Sequence, residues 1–242
     1  MEAGRVKPDT ICGHNAVAAL FAARPDDVIR LFYTEAAVPI VGGWCAMLAA
    51  AHKPYRLVEP AELATISGTT HHGAVAAVAK PRRIPIFDAA DPPRVKLLLV
   101  LDGIGNPHNL GAIARSAAFF GVRHMLIGEG PGNALPSDAA YRTAEGGMEA
   151  LELTRTRDLP TAIRALEPFY RTVAATLTAN AGPLSELPRD RAIALVLGAE
   201  EAGVSDPVRA ACRREVRVFS RGPVQSLNVA QVTAVLLHAL TT

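Results

Sequence analysis

Short apolar runs alternate with helical stretches over residues 97–240. Runs of strand length, such as LLLVL at residues 97–101 and AIALVLG at residues 192–198, are separated by stretches in which apolar residues recur with a helical period. Apolar strands joined by helices indicate a mainly parallel sheet with helices on both faces. The predicted fold class is therefore α/β. The same patterns predict further strands at 124–128, 151–154, 170–175 and 215–219, and helices at 110–121, 159–166, 206–212 and 226–240.

A proline-rich segment divides the chain. KPRRIPIFDAADPPR at residues 80–94 contains four Pro and no sustained periodicity, which is typical of a linker. We predict two domains, residues 1–80 and 96–242, joined by a linker over residues 81–95. In the upstream domain a smaller α/β pattern predicts strands at 28–34, 55–58 and 73–79 and helices at 15–23 and 41–52.

Composition fits a folded protein in a reducing compartment. Half of the 242 residues are apolar and 20% are charged, so the chain can bury a core. The three Cys are widely spaced and form no CxxC, and the seven His are scattered, so we expect no disulfide framework and no metal site. No apolar run is long enough for a signal core or a membrane span, so we expect a cytoplasmic protein without a membrane partner.

The charge balance says little about partners. The net charge of +2 is too small to diagnose a nucleic-acid partner by itself. The basic residues are mostly Arg, however, and a guanidinium pairs bidentately with phosphate.

Three polar segments follow predicted strand ends. They are DGIGNPHNLGAIAR after residues 97–101, GAEEAG after residues 193–197, and SRGPVQSLN after residues 215–219. Ligands bind beyond the carboxyl ends of the strands in such sheets. We therefore expect the three segments to converge on one site.

Several familiar sites do not fit these segments. His108 stands where a dinucleotide-binding GxGxxG loop requires its third Gly, and the P-loop pattern is absent. Ser226 does not lie in the GxSxG turn of a hydrolase. Glu200 and Glu201 are adjacent, but no good pair of catalytic carboxylates stands out. What remains is a polar, weakly acidic site.

Together the three segments resemble the SpoU, or TrmH-like, family of RNA 2′-O-ribose methyltransferases within the SPOUT superfamily. NPHNLGAIARSAAFFG is similar to the family's first motif, LVLGAEEAGV to its second and GPVQSLNV to its third, in the same order. The upstream segment from GHNAVAAL to HHGAVAAVAK resembles, less specifically, the family's L30e-like substrate-binding domain. Two residues depart from the family pattern: Asn106 stands where Asp is usual, and Phe219 where Pro is common.

The resemblance implies two sets of site residues. The catalytic residues are Asn109, Arg115, Glu200, Ser226 and Asn228. The residues that bind the cofactor, S-adenosyl-methionine, are Thr176, Leu197, Gly198, Ala199, Gly203, Val218, Phe219, Ser226 and Leu227.

Plainer structural roles remain open for most of these polar residues. Asn109 and Ser226 are both of types that cap a helix N-terminus. Glu200 could pair with a nearby Arg, and Arg115 could be a solvated surface residue. Gly198 and Gly203 could be turn residues, although a strand end that a purine approaches also needs such permissive positions.

Arg115 is expected to lie on the exposed face of its helix. Ile113, Ala117 and Phe120 form an apolar stripe, and Arg115 lies about 200° around the helix from Ile113. Methyl transfer to a ribose hydroxyl from a sulfonium donor requires in-line approach and loss of the hydroxyl proton. A guanidinium is a poor base, so phosphate binding is the better supported role for Arg115.

The resemblance implies a methyltransferase that modifies a ribose 2′-hydroxyl in structured RNA, with rRNA favoured over tRNA. It also implies a homodimer and a C-terminal SPOUT domain with a trefoil knot, preceded by the small L30e-like domain. The alternative is a non-catalytic RNA-binding module that keeps the methyltransferase fold. A Rossmann-type oxidoreductase is disfavoured by the broken glycine pattern.

Overall fold

The computed structural model describes residues 7–242, which form two compact units. The first unit contains the described residues up to Arg83 together with Pro136–Ala150. The second unit contains Ile84–Leu135 and Leu151–Thr242. A short segment from the downstream half of the chain is therefore part of the first unit.

Strands and helices alternate along most of the chain. In chain order the strands are β1 (Asp9–Cys12), β2 (Val28–Tyr33), β3 (Tyr55–Leu57), β4 (Val75–Ala79), β5 (Leu97–Asp102), β6 (His124–Gly128), β7 (Glu152–Thr156), β8 (Tyr170–Ala175), β9 (Gly182–Pro183), β10 (Ala192–Gly198) and β11 (Arg214–Arg217). The helices are α1 (His14–Ala23), α2 (Val38–Ala50), α3 (Pro60–Ser67), α4 (Pro107–Phe119), α5 (Asp138–Ala144), α6 (Leu159–Leu166), α7 (Asp206–Ala210) and α8 (Val229–Thr241). None of the helices in the described part of the chain is long and apolar enough to cross a membrane.

The second unit is built on a seven-stranded sheet of order β7-β6-β5-β10-β8-β11-β9. Each recorded pairing in this sheet is parallel. The predicted α/β class with a mainly parallel sheet is confirmed. The first unit has a four-stranded sheet of order β1-β4-β2-β3, in which β4 runs antiparallel to both of its neighbours.

The core of the second unit forms around the two central strands. Residues 98–101 of β5 and 194–197 of β10 are almost completely buried, which explains why both strands read as continuous apolar runs. Leu98 and Val100 of β5 share one apolar cluster with Ile163 of α6 and Val208 of α7. Helices α4 and α8 pack against each other, and α8 also packs against β10.

Four short elements were not predicted: β1, α3, α5 and β9. Helix α5 has only seven residues, too few to display a helical period, and it packs against β1 in the first unit. Several predicted boundaries were also wrong by two or three residues. The strand predicted at 215–219 ends at Arg217, and the helices predicted to begin at residues 41, 110 and 226 begin at Val38, Pro107 and Val229.

A buried ion-pair network joins the two chain segments of the first unit. The Arg24 guanidinium donates to the Glu149 carboxylate at 2.8 and 3.0 Å, and to the Tyr141 hydroxyl at 3.3 Å. The Asp9 carboxylate lies 3.7 Å from Arg24. Burial raises the pKa of Asp9 and of Tyr141 above their ordinary values. Glu149 is the nearest counter-charge of Arg24, and its side chain is only 3% exposed.

Replacing Glu149→Gln should lower the free energy of unfolding by about 3 kcal/mol, because it leaves Arg24 without its nearest buried counter-charge. The matched control is Glu62→Gln, which breaks an exposed pair with Arg56 and should cost less than about 1 kcal/mol. Urea-induced unfolding of the two variants measures the difference. Equal losses would show that the Glu149 pair contributes no more than a surface pair.

Candidate functional site

The three polar segments meet at one edge of the seven-stranded sheet, as predicted. Gly198 at the end of β10 lies opposite Asp102 at the end of β5, because the two strands are parallel and in register. The Asp102 carboxylate accepts a hydrogen bond of 2.8 Å from the Ser205 backbone N–H, which ties the loop after β10 to the end of β5. Strand β11 ends at the same edge.

The side-chain amide of Asn228 connects all three segments. Its Nδ2 donates to Oδ1 of Asn109 at 3.3 Å and to the Glu200 carboxylate. Its Oδ1 accepts a 2.8 Å hydrogen bond from the Ala230 backbone N–H at the start of α8. We call Asn109, Glu200 and Asn228 the amide–carboxylate cluster. Asn109 is half-buried and the other two are exposed, so the cluster is accessible to a large substrate.

The two plainer capping roles were wrong. Ser226 precedes α8, whose N-cap is Asn228, and Asn109 lies inside α4, whose N-cap is Asn106. The Asn106 side chain accepts from the His108 backbone N–H at 2.9 Å. Asn and Asp cap helices about equally well, so Asn106 fills the role that an Asp would have at this position.

Arg115 and Ser226 lie outside the hydrogen bonds of the cluster. Arg115 is exposed on α4, as predicted, about a third of a turn around the helix from Asn109. Ser226 is exposed and lines the adjacent cavity. Within residues 7–242, no hydrogen bond joins either side chain to the cluster. The structure thus brings three of the five predicted catalytic residues into contact.

A cavity of about 620 Å³ opens beside the cluster, within the second unit. It is enclosed by the loops that follow β8, β10 and β11 and by the first turns of α8. All nine residues predicted to bind the cofactor line it: Thr176, Leu197, Gly198, Ala199, Gly203, Val218, Phe219, Ser226 and Leu227. Their contact with a bound donor stays a prediction.

One wall of the cavity carries a polar network that the sequence reasoning missed. The hydroxyls of Thr176 and Thr178 both donate to Oε2 of Glu215, at 2.9 and 2.5 Å. Arg209 donates to Asp206 at 2.7 Å and lies 3.6 Å from Glu215. The hydrogen bond to Asp206 raises the pKa of the Arg209 guanidinium. No local sequence pattern signals this network, because it depends on the pairing of β8 with β11.

The loop after β10 folds back tightly on the strand end. Ala199 and Gly203 form a bridge, in which the Gly203 N–H donates to the Ala199 carbonyl at 2.9 Å. Gly203 has a φ of +68°, which glycine adopts without strain. A Cβ on Gly198 would lie 2.0 Å from the Gly203 carbonyl carbon. Only glycine at residue 198 permits this approach of the two backbones.

No group of three or more His, Cys, Asp or Glu side chains in residues 7–242 is placed to hold a metal ion. The amide–carboxylate cluster offers hydrogen-bond donors and acceptors and one carboxylate, and Arg115 offers an exposed guanidinium.

Two family models match the chain. One, described as the SpoU rRNA Methylase family, matches residues 96–238. The other, described as RNA 2′-O ribose methyltransferase substrate binding, matches residues 10–85. Residues 96–238 contain the three motifs. Residues 10–85 contain the four-stranded sheet except for Asp9, the first residue of β1.

Curated relatives and solved structures agree with the family models. The chain is 32% identical over 235 residues to an uncharacterized tRNA/rRNA methyltransferase of Escherichia coli O157:H7, covering 96% of this chain and 68% of that protein. It is 32% identical over 231 residues to the 23S rRNA (guanosine-2′-O-)-methyltransferase RlmB of Burkholderia sp, and the match covers 93% of this chain and 92% of that protein. The AdoMet-bound rRNA methyltransferase of Sinorhizobium meliloti has the same fold, with a TM-score of 0.79 and 22% sequence identity. That match covers 97% of this chain and 87% of the Sinorhizobium chain.

Gly198→Ala should lower the free energy of unfolding by about 2–3 kcal/mol, because the added methyl group forces the loop over residues 199–203 away from β10. Gly182→Ala is the matched control, since a Cβ there meets no atom within 4 Å. We expect the control to change stability by less than about 0.5 kcal/mol. Chemical denaturation of both variants tests this, and a Gly198→Ala protein as stable as the control would contradict the close approach.

Proposed function

Because the chain belongs to the SpoU family and is an RNA methyltransferase, we propose that it transfers the methyl group of S-adenosyl-methionine to a ribose 2′-hydroxyl of a structured RNA. The predictions of the family and of the enzyme class are confirmed. S-adenosyl-methionine is the methyl donor, as predicted, and the Sinorhizobium meliloti neighbour of the same fold is an rRNA methyltransferase with AdoMet bound.

The observation that carries this function is the position of Asn228. Its amide bonds to Asn109 of the first motif and to Glu200 of the second, at the rim of a cavity lined by all nine predicted donor-binding residues. A polar cluster for a hydroxyl substrate and a cavity for the donor therefore adjoin. The cavity volume of about 620 Å³ lies within the range of small-molecule sites, roughly 300–1,000 Å³.

The donor supplies an electrophilic methyl group when it is bound, and the residues of this chain position the acceptor. Asn109, Glu200 and Asn228 offer hydrogen-bond donors and acceptors that orient the ribose for in-line attack. Glu200 is the ionisable group of the cluster and lies where it can accept the hydroxyl proton directly or through water. Ser226 lines the cavity, as Glu200 of the cluster does.

Arg115 binds the phosphate beside the reacting ribose. It is exposed on the helix that also carries Asn109, and a guanidinium presents a planar fork of donors that matches phosphate oxygens. Because it stays protonated, Arg115 acts by charge and orientation and leaves proton removal to another group.

Ribosomal RNA is the favoured substrate, with tRNA as the alternative. The support is the Burkholderia relative, which acts on 23S rRNA, and the first unit, whose segment 10–85 matches the substrate-binding model. The first unit, predicted as an L30e-like domain over residues 1–80, binds the RNA. The prediction divides the rest of the chain into a linker over residues 81–95 and a SPOUT domain over residues 96–242, whereas the compact units place Ile84–Leu135 in the second unit and Pro136–Ala150 in the first. Since the substrate is cellular RNA, the proposal places the protein in the cytoplasm.

The proposal includes the C-terminal trefoil knot implied by the family. Its support is the segment over residues 218–227, which follows β11 and lines the same cavity as the loop after β10. The loop after β10 and the segment after β11 thus line one ligand space.

The active form is a homodimer that pairs through α4 and α8. These helices pack side by side and carry apolar side chains on their outer surfaces. Phe119 on α4 is 82% exposed and Val235 on α8 is 43% exposed. Large exposed apolar side chains on adjacent helices are typical of an interface between subunits.

Arg115→Ala should abolish most methyl transfer while leaving donor affinity nearly unchanged, because the donor cavity is built by other loops. Arg115→Lys should restore little activity, since an ammonium cannot reproduce the bidentate contact. Arg123→Ala is the control, because Arg123 is exposed just beyond α4 and lies outside the cluster. The substrate is found first by mapping ribose methylation in RNA from a deletion strain, where the target nucleotide loses its methyl group. The mapping uses alkaline cleavage, which a 2′-O-methyl group blocks.

A transcript of the mapped segment then serves for turnover measurements. A 2′-deoxy substitution at the target nucleotide should permit binding and abolish transfer, because the acceptor oxygen is missing. Full turnover by Arg115→Ala would refute its role. Retained RNA binding without any ribose methylation by the wild-type protein would favour the non-catalytic module.

The wild-type protein should sediment at about twice the chain mass of 25.5 kDa at micromolar concentration. Phe119→Asp should shift it to the monomer, because a carboxylate cannot be buried unpaired in an apolar interface. Leu57→Asp, at a 49% exposed residue of β3, is the control and should leave the dimer intact. A wild-type monomer that methylates RNA would contradict the dimer.

A further inference from the structure

Arg217 is a cationic residue of the cavity that the proposed mechanism does not use. It is the last residue of β11, is half-buried, and lines the cavity together with the loops after β8 and β10. Neither the motifs nor the predicted site residues include it. Its neighbour Phe219 is the residue that stands where the family commonly has Pro.

The other cation of the cavity, Arg209, and two of its three carboxylates, Glu200 and Asp206, have partners within the protein. Arg209 is paired with Asp206 and lies near Glu215, and Glu200 accepts from Asn228. In the described part of the chain Arg217 forms no ion pair, and its Nε is buried without a hydrogen-bond partner. A buried N–H group without an acceptor costs free energy, and no protein group in residues 7–242 competes for this guanidinium.

The ring of Phe219 fixes the position of this guanidinium. The Arg217 Cζ atom lies over the Phe219 ring, 4.1 Å from its centroid, which is a cation–π distance. The ring occupies one face of the guanidinium and accepts no conventional hydrogen bond from its terminal N–H groups. A planar fork held in this way matches a carboxylate.

The methyl donor carries a sulfonium, an ammonium and one carboxylate. The carboxylate is its only anionic group, and Arg217 is the only cavity-lining cation in residues 7–242 that has no carboxylate partner of its own. Glu200, Glu201 and Asp206, which also line the cavity, are suited to the donor's positive groups. We propose that Arg217 binds the α-carboxylate of the methyl donor, with Phe219 holding its guanidinium.

This inference rests on the proposed function, because its ligand is the donor that the function requires. The test uses calorimetry on the full chain with two probes. One is S-adenosyl-homocysteine, and the other is S-adenosyl-3-thiopropylamine, which lacks only the carboxylate. Comparing the two probes isolates the carboxylate contact from all contacts with the adenosine.

Arg217→Gln should weaken S-adenosyl-homocysteine binding about tenfold to a hundredfold, the range expected for hydrogen bonds to a charged group. It should change binding of the decarboxylated probe less than about twofold, because that probe has no carboxylate for Arg217 to bind. Arg217→Lys should give an intermediate loss. Arg214→Gln, on the same strand but exposed and outside the cavity lining, should bind both probes as the wild type does.

The possible failures are distinguishable. Equal weakening of both probes by Arg217→Gln would assign Arg217 a structural or adenosine-binding role and overturn the inference. Unchanged binding of both probes with weaker RNA binding would assign it to RNA and also overturn the inference. In either case the proposed function would stand, because the wild type still binds the donor product. No wild-type binding of S-adenosyl-homocysteine at millimolar concentration would overturn the proposed function and the inference with it.

Discussion

The parallel pairing of β5 with β10 is the constraint on which the site depends. These strands are about 90 residues apart in sequence, yet their register places Gly198 directly opposite Asp102. Both strands are buried on both faces, and each buried Leu or Val side chain contributes roughly 1.5–3 kcal/mol relative to exposure to water, so moving either strand out of this pairing is costly. The hydrophobic effect therefore fixes the positions of the two loops that follow, and with them the polar residues at the sheet edge.

The hydrogen bonds of the site contribute little to stability themselves. Asn228 and Glu200 are exposed, and exposed polar contacts are worth about 1 kcal/mol or less because water competes for them. The capping bond from Asn228 to the Ala230 N–H has a different role, since it fixes the amide relative to the helix. One oxygen of this side chain is held by the backbone, and its nitrogen is directed at Asn109 and Glu200. The helix terminus thus orients the cluster.

The sequence predicted the second unit better than the first, and the cavity better than the catalytic contacts. Long apolar runs such as residues 97–101 indicate buried strands. Parallel strands then place their carboxyl ends at the same edge of the sheet, whichever side chains they carry. The capping residues were misassigned because Ser226 and Asn228 are both good caps, and only the path of the loop after Arg217 selects between them. The pairing of Glu215 with two threonines depends on the β8–β11 pairing, which no local pattern reveals.

In the proposed function, the residues that hold the donor are separate from those that meet the RNA. The cavity is formed by loops within one unit and is lined on one side by α8, whereas Arg115 lies exposed on α4. A small ligand can therefore bind without any residue of α4, while a polymer as large as RNA must approach from the exposed side where the amide–carboxylate cluster lies. Asn228 belongs to both regions, because it begins the helix that lines the cavity and bonds to Asn109 on the helix that faces solvent. Binding of the two substrates can thus be coupled through one side chain whose position is set by the start of α8.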